Sequence, residues 1–275
     1  MAKQRTVVGL PLTPTLLKEL DAFGEFPSTP EGFKPAGSWV NTYRIWTCHG
    51  FRESGNQSVG FLRIQKKVPG SGDTFDLYVE QTVLETDAML STTAAQITCL
   101  NNEYASPVRW RISNRFFGPR GKGLNELSTA ENVSIEGQAM KIEAPTGTLR
   151  RQVGTPLTSD WSLFEAAQRW DVGEARHLLV TMLEGLRIFK PAQHITYRGF
   201  PQIELGPGGT RLYCFAQLGS GILPTEYWLD RSHRLLVVTS MNKAYILDEE
   251  AEKIFRREVE QSRKSYQRSR NPQRK

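Results

Sequence analysis

The chain is poor in the residues from which most catalytic and metal centres are built. Its 275 residues include three cysteines and four histidines. Cys48, Cys99 and Cys214 are far apart and odd in number, and no C-x-x-C pair occurs. Neither a zinc knuckle nor a dithiol redox motif is therefore encoded. An odd, unframed set of thiols points to a reducing compartment. His49, His177, His194 and His233 stand at no metal-ligand spacing from one another, so no metal and no cofactor is expected. Long apolar runs are missing too. No segment approaches the roughly 20 residues of a membrane-spanning helix. The apolar stretch near the start is broken by Pro11 and Pro14 and is too short for a signal-peptide core. The expected location is cytoplasmic, or periplasmic if an export signal has been trimmed.

The excess of positive charge is confined to one place. The chain carries 35 Lys+Arg against 29 Asp+Glu. Residues 262–275 hold six of those bases (Arg263, Lys264, Arg268, Arg270, Arg274 and Lys275) and no acid, which leaves 29 of each sign elsewhere. The basic balance thus describes a tail, expected to be disordered, and argues against a nucleic-acid-binding body.

Motifs of known chemistry are absent or broken. Gly118-Pro119-Arg120-Gly121-Lys122-Gly123 has too short a spacing for a phosphate loop and lacks the hydroxyl that reaches magnesium, so it reads as a hairpin turn. Ser220 sits outside the five-residue Gly-x-Ser-x-Gly pattern, and Pro224 opposes a following helix. Asp160 reads as a helix cap, Glu165 as its neighbour in that helix, and Asp76 with Glu80 as a solvated strand face. No catalytic residue is assigned. The chain is expected not to be an enzyme, with an enzyme of unrecognised type as an alternative.

What the sequence does carry is alternation. In Val108-Arg109-Trp110-Arg111-Ile112 apolar residues and arginines change places with period two, the mark of a half-buried strand. Similar strands are predicted at about 39–48, 59–68, 74–86, 92–103 and 107–117, with shorter ones between 130 and 153. They resume at about 177–190, 192–205, 210–218, 225–231, 233–241 and 243–248. A helix is predicted over 160–171 from Leu163, Phe164, Ala167 and Trp170. Shorter helices are expected at 12–23 and from Glu249 to about Gln261.

The predicted fold is mainly β: a long curved antiparallel sheet of roughly ten to thirteen strands with the 160–171 helix on its concave face. Residues 1–38 form an N-terminal helix and loop, 39–248 the sheet domain, and 249–275 the C-terminal helix with its basic tail. Aromatic side chains are spread over many strands, and Trp46, Trp110 and Trp228 are the candidate lining of an apolar pocket on the concave side. Arg109, Arg111 and Arg115 share one strand face and are the candidate anion-binding residues, unless acids on neighbouring strands pair with them.

The stretch Leu218-Gly219-Ser220-Gly221-Ile222-Leu223-Pro224-Thr225-Glu226-Tyr227-Trp228-Leu229-Asp230, continued by Arg231-Ser232-His233-Arg234-Leu235-Leu236-Val237-Val238, resembles the closing hairpins of uncharacterised bacterial proteins. That group is similar to the lipoprotein-carrier fold. The resemblance implies an incomplete barrel around a helix and a hydrophobic guest inside it. It assigns no catalytic residue, and carriers of that type are exported, whereas this chain starts without an export pattern. The expected function is binding or carriage of a lipid-like or other apolar ligand. The alternative is an interaction module whose basic tail binds RNA or an anionic surface.

Overall fold

The computed structural model describes residues 26–47, 57–70, 72–85, 88–172, 177–200, 202–203, 210–240 and 242–270. The helix expected at 12–23, the Cys48-His49 pair, the turn at 206–209 and residues 271–275 of the tail lie outside them.

The first half of the chain is a meander: β1 (Trp39–Thr47), β2 (Gln57–Lys67), β3 (Thr74–Leu84), β4 (Leu90–Leu100), β5 (Pro107–Phe117), β6 (Thr129–Glu136), β7 (Ala139–Ala144) and β8 (Gly147–Gln152). The short β9 (Leu157–Ser159) leads into helix α1 (Asp160–Ala166), which ends in a 3-10 turn (Ala167–Arg169). Then come β10 (His177–Glu184), β11 (Ile188–Gly199), β12 (Gln202–Ile203), β13 (Thr210–Arg211), β14 (Tyr213–Leu218), β15 (Thr225–Leu229), β16 (Leu235–Ser240) and β17 (Lys243–Leu247). Helix α2 (Ala251–Arg270) closes the described chain.

Among the described residues, fifteen strands form one sheet in the order β8-β7-β6-β5-β4-β3-β2-β1-β17-β16-β15-β14-β11-β10-β9, and β12 pairs with β13 apart from it. The sheet is larger than expected, and it is mixed. β9 and β10 run parallel, which requires a crossover, and α1 is that crossover. The two halves meet where β1 pairs with β17, joining strands from opposite ends of the domain. The turn expected near residue 191 falls instead between β10 and β11, where Gly185 (φ 56) and Leu186 (φ 59) take left-handed conformations. Pro191 lies inside β11, beside a register shift that relieves it of a ladder hydrogen bond.

Strand alternation decides which side chains meet α1. Tyr43, Tyr227, Val238 and Tyr245 face it, while Arg44, Trp228, Val237 and Ile246 face away. Side chains from both halves of the sheet pack against this helix and the segment that follows it. Phe164 packs edge-on against Tyr43 and Tyr245 at 5.3 and 5.4 Å between ring centres. Trp170 does the same with Phe215 and Tyr227, at 5.0 and 6.5 Å. Each such pair is worth about 0.5–1.5 kcal/mol beyond its buried area. On the other side Ser162 meets Cys99 of β4 at 3.8 Å. Strands seven places apart in the sheet order therefore touch one short segment, the helix with its 3-10 turn and Trp170. The β9–β10 edge comes round against the far half: Thr158 donates to the Tyr104 carbonyl at 2.7 Å, and Arg187 reaches Thr129 and Glu131 of β6.

A buried ion cluster fixes the helix axially. Glu165 and Lys66 are both fully enclosed and paired. Arg169 chelates the same carboxylate with bonds of 2.6 and 2.9 Å and donates to the Asn102 carbonyl at 2.6 Å. The enclosed ammonium lies 4.5 Å from the Phe75 ring centre. Burial pushes the Lys66 pKa down, and the Glu165 carboxylate opposes that shift. Such a cluster costs desolvation but penalises any helix position that would leave one charge unpaired.

On the opposite face α2 docks its first half: Ala251, Phe255 and Val259 cover Phe61, with Leu84 and Leu90 beside them. The helix continues to Arg270, past the expected end near Gln261, so residues 262–270 of the basic tail are helical. An ion pair one turn apart, Glu260–Lys264 at 2.7 Å, supports the start of this extension, as Glu252–Arg256 at 2.6 Å does for the first half of the helix.

Candidate functional site

A cleft of about 330 Å³ opens beside the start of α1, between the helix and the inner face of β10, β14, β15, β16 and β17. Ser159, not Asp160, is the helix cap: its hydroxyl accepts from the Ser162 N–H at 3.0 Å. Asp160 is thereby left free to face the cleft. Its carboxylate accepts the Trp161 N–H at 2.9 Å and, from the β10–β11 turn, the Gly185 N–H at 2.9 Å. Both bonds favour the charged form, yet burial among apolar side chains outweighs them and lifts the carboxyl from 3.8 to about 6. Tyr227 and Tyr245 titrate above the ordinary phenol range, because of burial first and the Asp160 carboxylate second. Both phenols therefore stay neutral donors.

Behind these groups runs a buried hydrogen-bonded chain. The Tyr227 hydroxyl donates to Gln217 Oε1 at 2.8 Å, and Gln217 Nε2 reaches Gln193 Oε1 at 3.4 Å. Gln193 in turn donates to the Ser220 carbonyl at 3.1 Å. Phe164, Met182, Ile222, Leu223 and Val238 supply the apolar walls. At the rim, Lys190 ties the 219–224 loop down through the Gly221 carbonyl at 2.6 Å. Glu184, Thr225, Ser240, Asn242 and Lys243 also line the cleft, so it is mixed in character, and its volume is at the low end for a small-molecule site. Among the described residues no group of three or more His, Cys, Asp or Glu gathers as for a metal ion.

The three candidate tryptophans do not converge. Trp110 is buried on the α1 side of β5 next to Val133 and Ile97, far along the sheet from the cleft. Trp46 and Trp228 are buried on the face away from α1. None of them lines the cleft beside α1. The residues that do, Gln217, Tyr227 and Tyr245, carry one sequence signal: each is polar or amphipathic on the strand parity of the core. Gln217 shares its face with Phe215, and Tyr227 with Val238.

Arg109, Arg111 and Arg115 do share one face, exposed and away from α1. Their cross-strand neighbours are Thr98, Gln96 and Thr92 on β4 and Ser134 and Asn132 on β6, all uncharged. β4 holds no charged residue at all. The acids expected to pair with the arginines are not opposite them. Arg111 and Arg115 instead line a groove of about 710 Å³ with Arg63, Tyr78 and Glu80. The loop after β5 is the ordinary hairpin turn expected, closed by Gly118 N–H to the Lys122 carbonyl at 2.8 Å. Its Gly121 lies against the Arg263 guanidinium of α2. The basic end of α2 thus reaches the end of the arginine strand.

The hairpin of β15 and β16 has the form its sequence implied. Asp230 Oδ1 accepts the N–H groups of Ser232 and Arg234, both at 2.8 Å, and turns the chain. Comparison with solved structures finds a crystal structure of a beta-barrel-like protein of domain of unknown function DUF1849 from Brucella abortus. The likeness covers 78% of this chain and 96% of that one, at a TM-score of 0.52 and 9% identity. It shows a shared fold. No family model matches the sequence, and no curated protein does.

Proposed function

We propose that this is a non-enzymatic binding protein for a small amphipathic ligand, held in the cleft beside the start of α1. In this reading the curled sheet is an incomplete barrel that α1 fills only in part, and the unfilled end takes the guest. The observation that carries it is a cleft whose lining joins an apolar patch to polar groups, among them Asp160, a carboxylate already held by two backbone N–H groups. A ligand with an apolar body and a hydroxyl head matches that set. Its head donates to Asp160, accepts from the Tyr245 phenol, and its body lies on Phe164, Leu223 and Val238. The likeness to a beta-barrel-like protein supports the architecture of this reading and says nothing of the ligand.

The test is a native mass spectrum of the full chain purified gently from its own host. A bound mass of a few hundred daltons is expected, lost on organic extraction and lost also in Leu223→Trp, which fills the cleft from its rim. A bare chain mass, or an adduct that survives Leu223→Trp, overturns the reading.

A second reading, interaction with an anionic surface, is favoured by a separate observation. The three β5 arginines have no acid opposite them, and the base-rich end of α2 adjoins the loop that follows their strand.

A further inference from the structure

The fold brings together two histidines that stand seventeen residues apart. His177 opens β10 and His194 lies on β11; the register sets His177 opposite Thr196 and Leu179 opposite His194, so the histidines are diagonal neighbours on one face. Both are exposed. His177 Nε2 and His194 Nδ1 are 2.9 Å apart, with ring centres at 5.0 Å and planes inclined by 41°. The second nitrogen of His177, Nδ1, is 3.2 Å from the Thr196 hydroxyl.

From this we infer a two-histidine chelate for a divalent transition-metal ion of the nickel, copper and zinc group, independent of the cleft and its ligand. A neutral imidazole has one N–H and one lone pair. With the His177 Nδ1–H donated to Thr196, its Nε2 lone pair points at His194. In the metal-free protein the His194 Nδ1–H fills that position. When an ion enters, this proton moves to the solvent-facing Nε2 of the same ring, the Nδ1 lone pair is freed, and no net proton is released. Nitrogen ligands at about 2.0–2.1 Å from one ion and at right angles to each other stand about 2.9 Å apart. The observed separation is thus already that of two adjacent ligands. Thr196 acts as the positioning residue that fixes the His177 tautomer, the usual task of a group behind a metal-bound imidazole. Calcium and magnesium are excluded as occupants because they take oxygen ligands. Water completes the coordination of the exposed ion.

The test uses the full, untagged chain titrated with Cu²⁺, Ni²⁺ and Zn²⁺ in a non-coordinating buffer. Calorimetry follows binding, and the copper complex is read by electron paramagnetic resonance. One ion per chain is expected, copper tightest in line with general divalent-metal preference. The copper spectrum should show two imidazole nitrogens in the wild type and one in His177→Ala or His194→Ala. Affinity should fall roughly tenfold or more in either alanine variant and in Thr196→Val. Circular dichroism checks that these surface variants fold. Absence of binding to the wild type, or binding that both alanine variants leave unchanged, overturns the chelate.

Discussion

Asp160 accepts two backbone N–H bonds and still titrates near 6, so at neutral pH the folded protein carries a carboxylate its surroundings disfavour. The sign of the consequence follows from linkage. Above about pH 6 the group is ionised in both folded and unfolded chains, and its burial counts against folding. As pH falls through 6 the folded state takes up a proton that the unfolded state accepts only near the ordinary 3.8, so stability is gained. Between about pH 7.5 and pH 4.5 this group should add roughly 1–2 kcal/mol, allowing for its partial exposure to the cleft. Asp160→Asn has no such proton to gain. Urea unfolding of both proteins across this range should show the difference in stability, wild type minus variant, rising as pH falls. Parallel profiles would mean the carboxyl is well solvated. The residue itself was visible in the sequence, but its task was not. A Ser-Asp pair before a helix offers two capping residues, and only the backbone shows that Ser159 caps while Asp160 is released to the cleft. The tryptophans lie away from the cleft for a related reason. Large apolar side chains mark burial, and in this sheet both faces of β15 and β16 are buried, so an aromatic there says little about which side a guest would use.

At the scale of elements, period-two alternation located the strands well, because one dry face forces it, and β1 through β5 fall within a few residues of their expected limits. It failed where a local irregularity intervened. The β10–β11 turn uses Leu186 in a left-handed conformation that its residue type does not advertise, while Pro191 looks like a turn and sits in a strand. The end of α2 was missed because residues 262–270 carry no apolar stripe in the sequence, and the Glu260–Lys264 spacing there is a weaker signal. The arginines of β5 are the element whose environment matters most for a second function. Exposed like charges two residues apart with only Thr, Ser, Asn and Gln across from them repel one another by a small amount that an anion would relieve. Arg111→Ser combined with Arg115→Ser should weaken binding to phosphatidylglycerol–phosphatidylcholine vesicles and flatten its dependence on salt, leaving thermal stability nearly unchanged. Co-sedimentation at two salt concentrations reads both effects. Equal binding by the double variant would remove β5 from any anionic interface, and capture of RNA in place of vesicles would redirect the reading to a nucleic acid.

For the whole molecule the decisive pairing is β1 with β17, which among the described residues is the strand pairing that unites an N-terminal meander with a C-terminal one. Alternation gives each strand's faces but no partner, so the sequence yields sequential hairpins and is silent on a pairing some two hundred residues long. The parallel β9–β10 pair is hidden in the same way. Both halves contribute to the packing around α1 and the turn that follows it, since Glu165 reaches Lys66 of β2 while Trp170 reaches Phe215 of β14. The order of losses on truncation should follow from this. Removing residues 262–275 leaves the buried Val259 of α2 in place and takes away Arg263 from beside Gly121; it should change the melting temperature by no more than about 2 °C. Ending the chain at Ser240 also removes β17 and the anchor of α2. That strips the neighbour from β1 in mid-sheet and exposes Tyr43, Ile45 and Phe61, each buried in the intact protein. An unpaired apolar strand edge in that position is a template for association with other chains, so the shorter chain should be recovered as aggregate while the longer one stays dispersed. Size-exclusion chromatography with thermal melts separates the two outcomes. A dispersed, cooperatively melting chain ending at Ser240 would show that the N-terminal meander folds by itself and that the β1–β17 seam joins two independent halves.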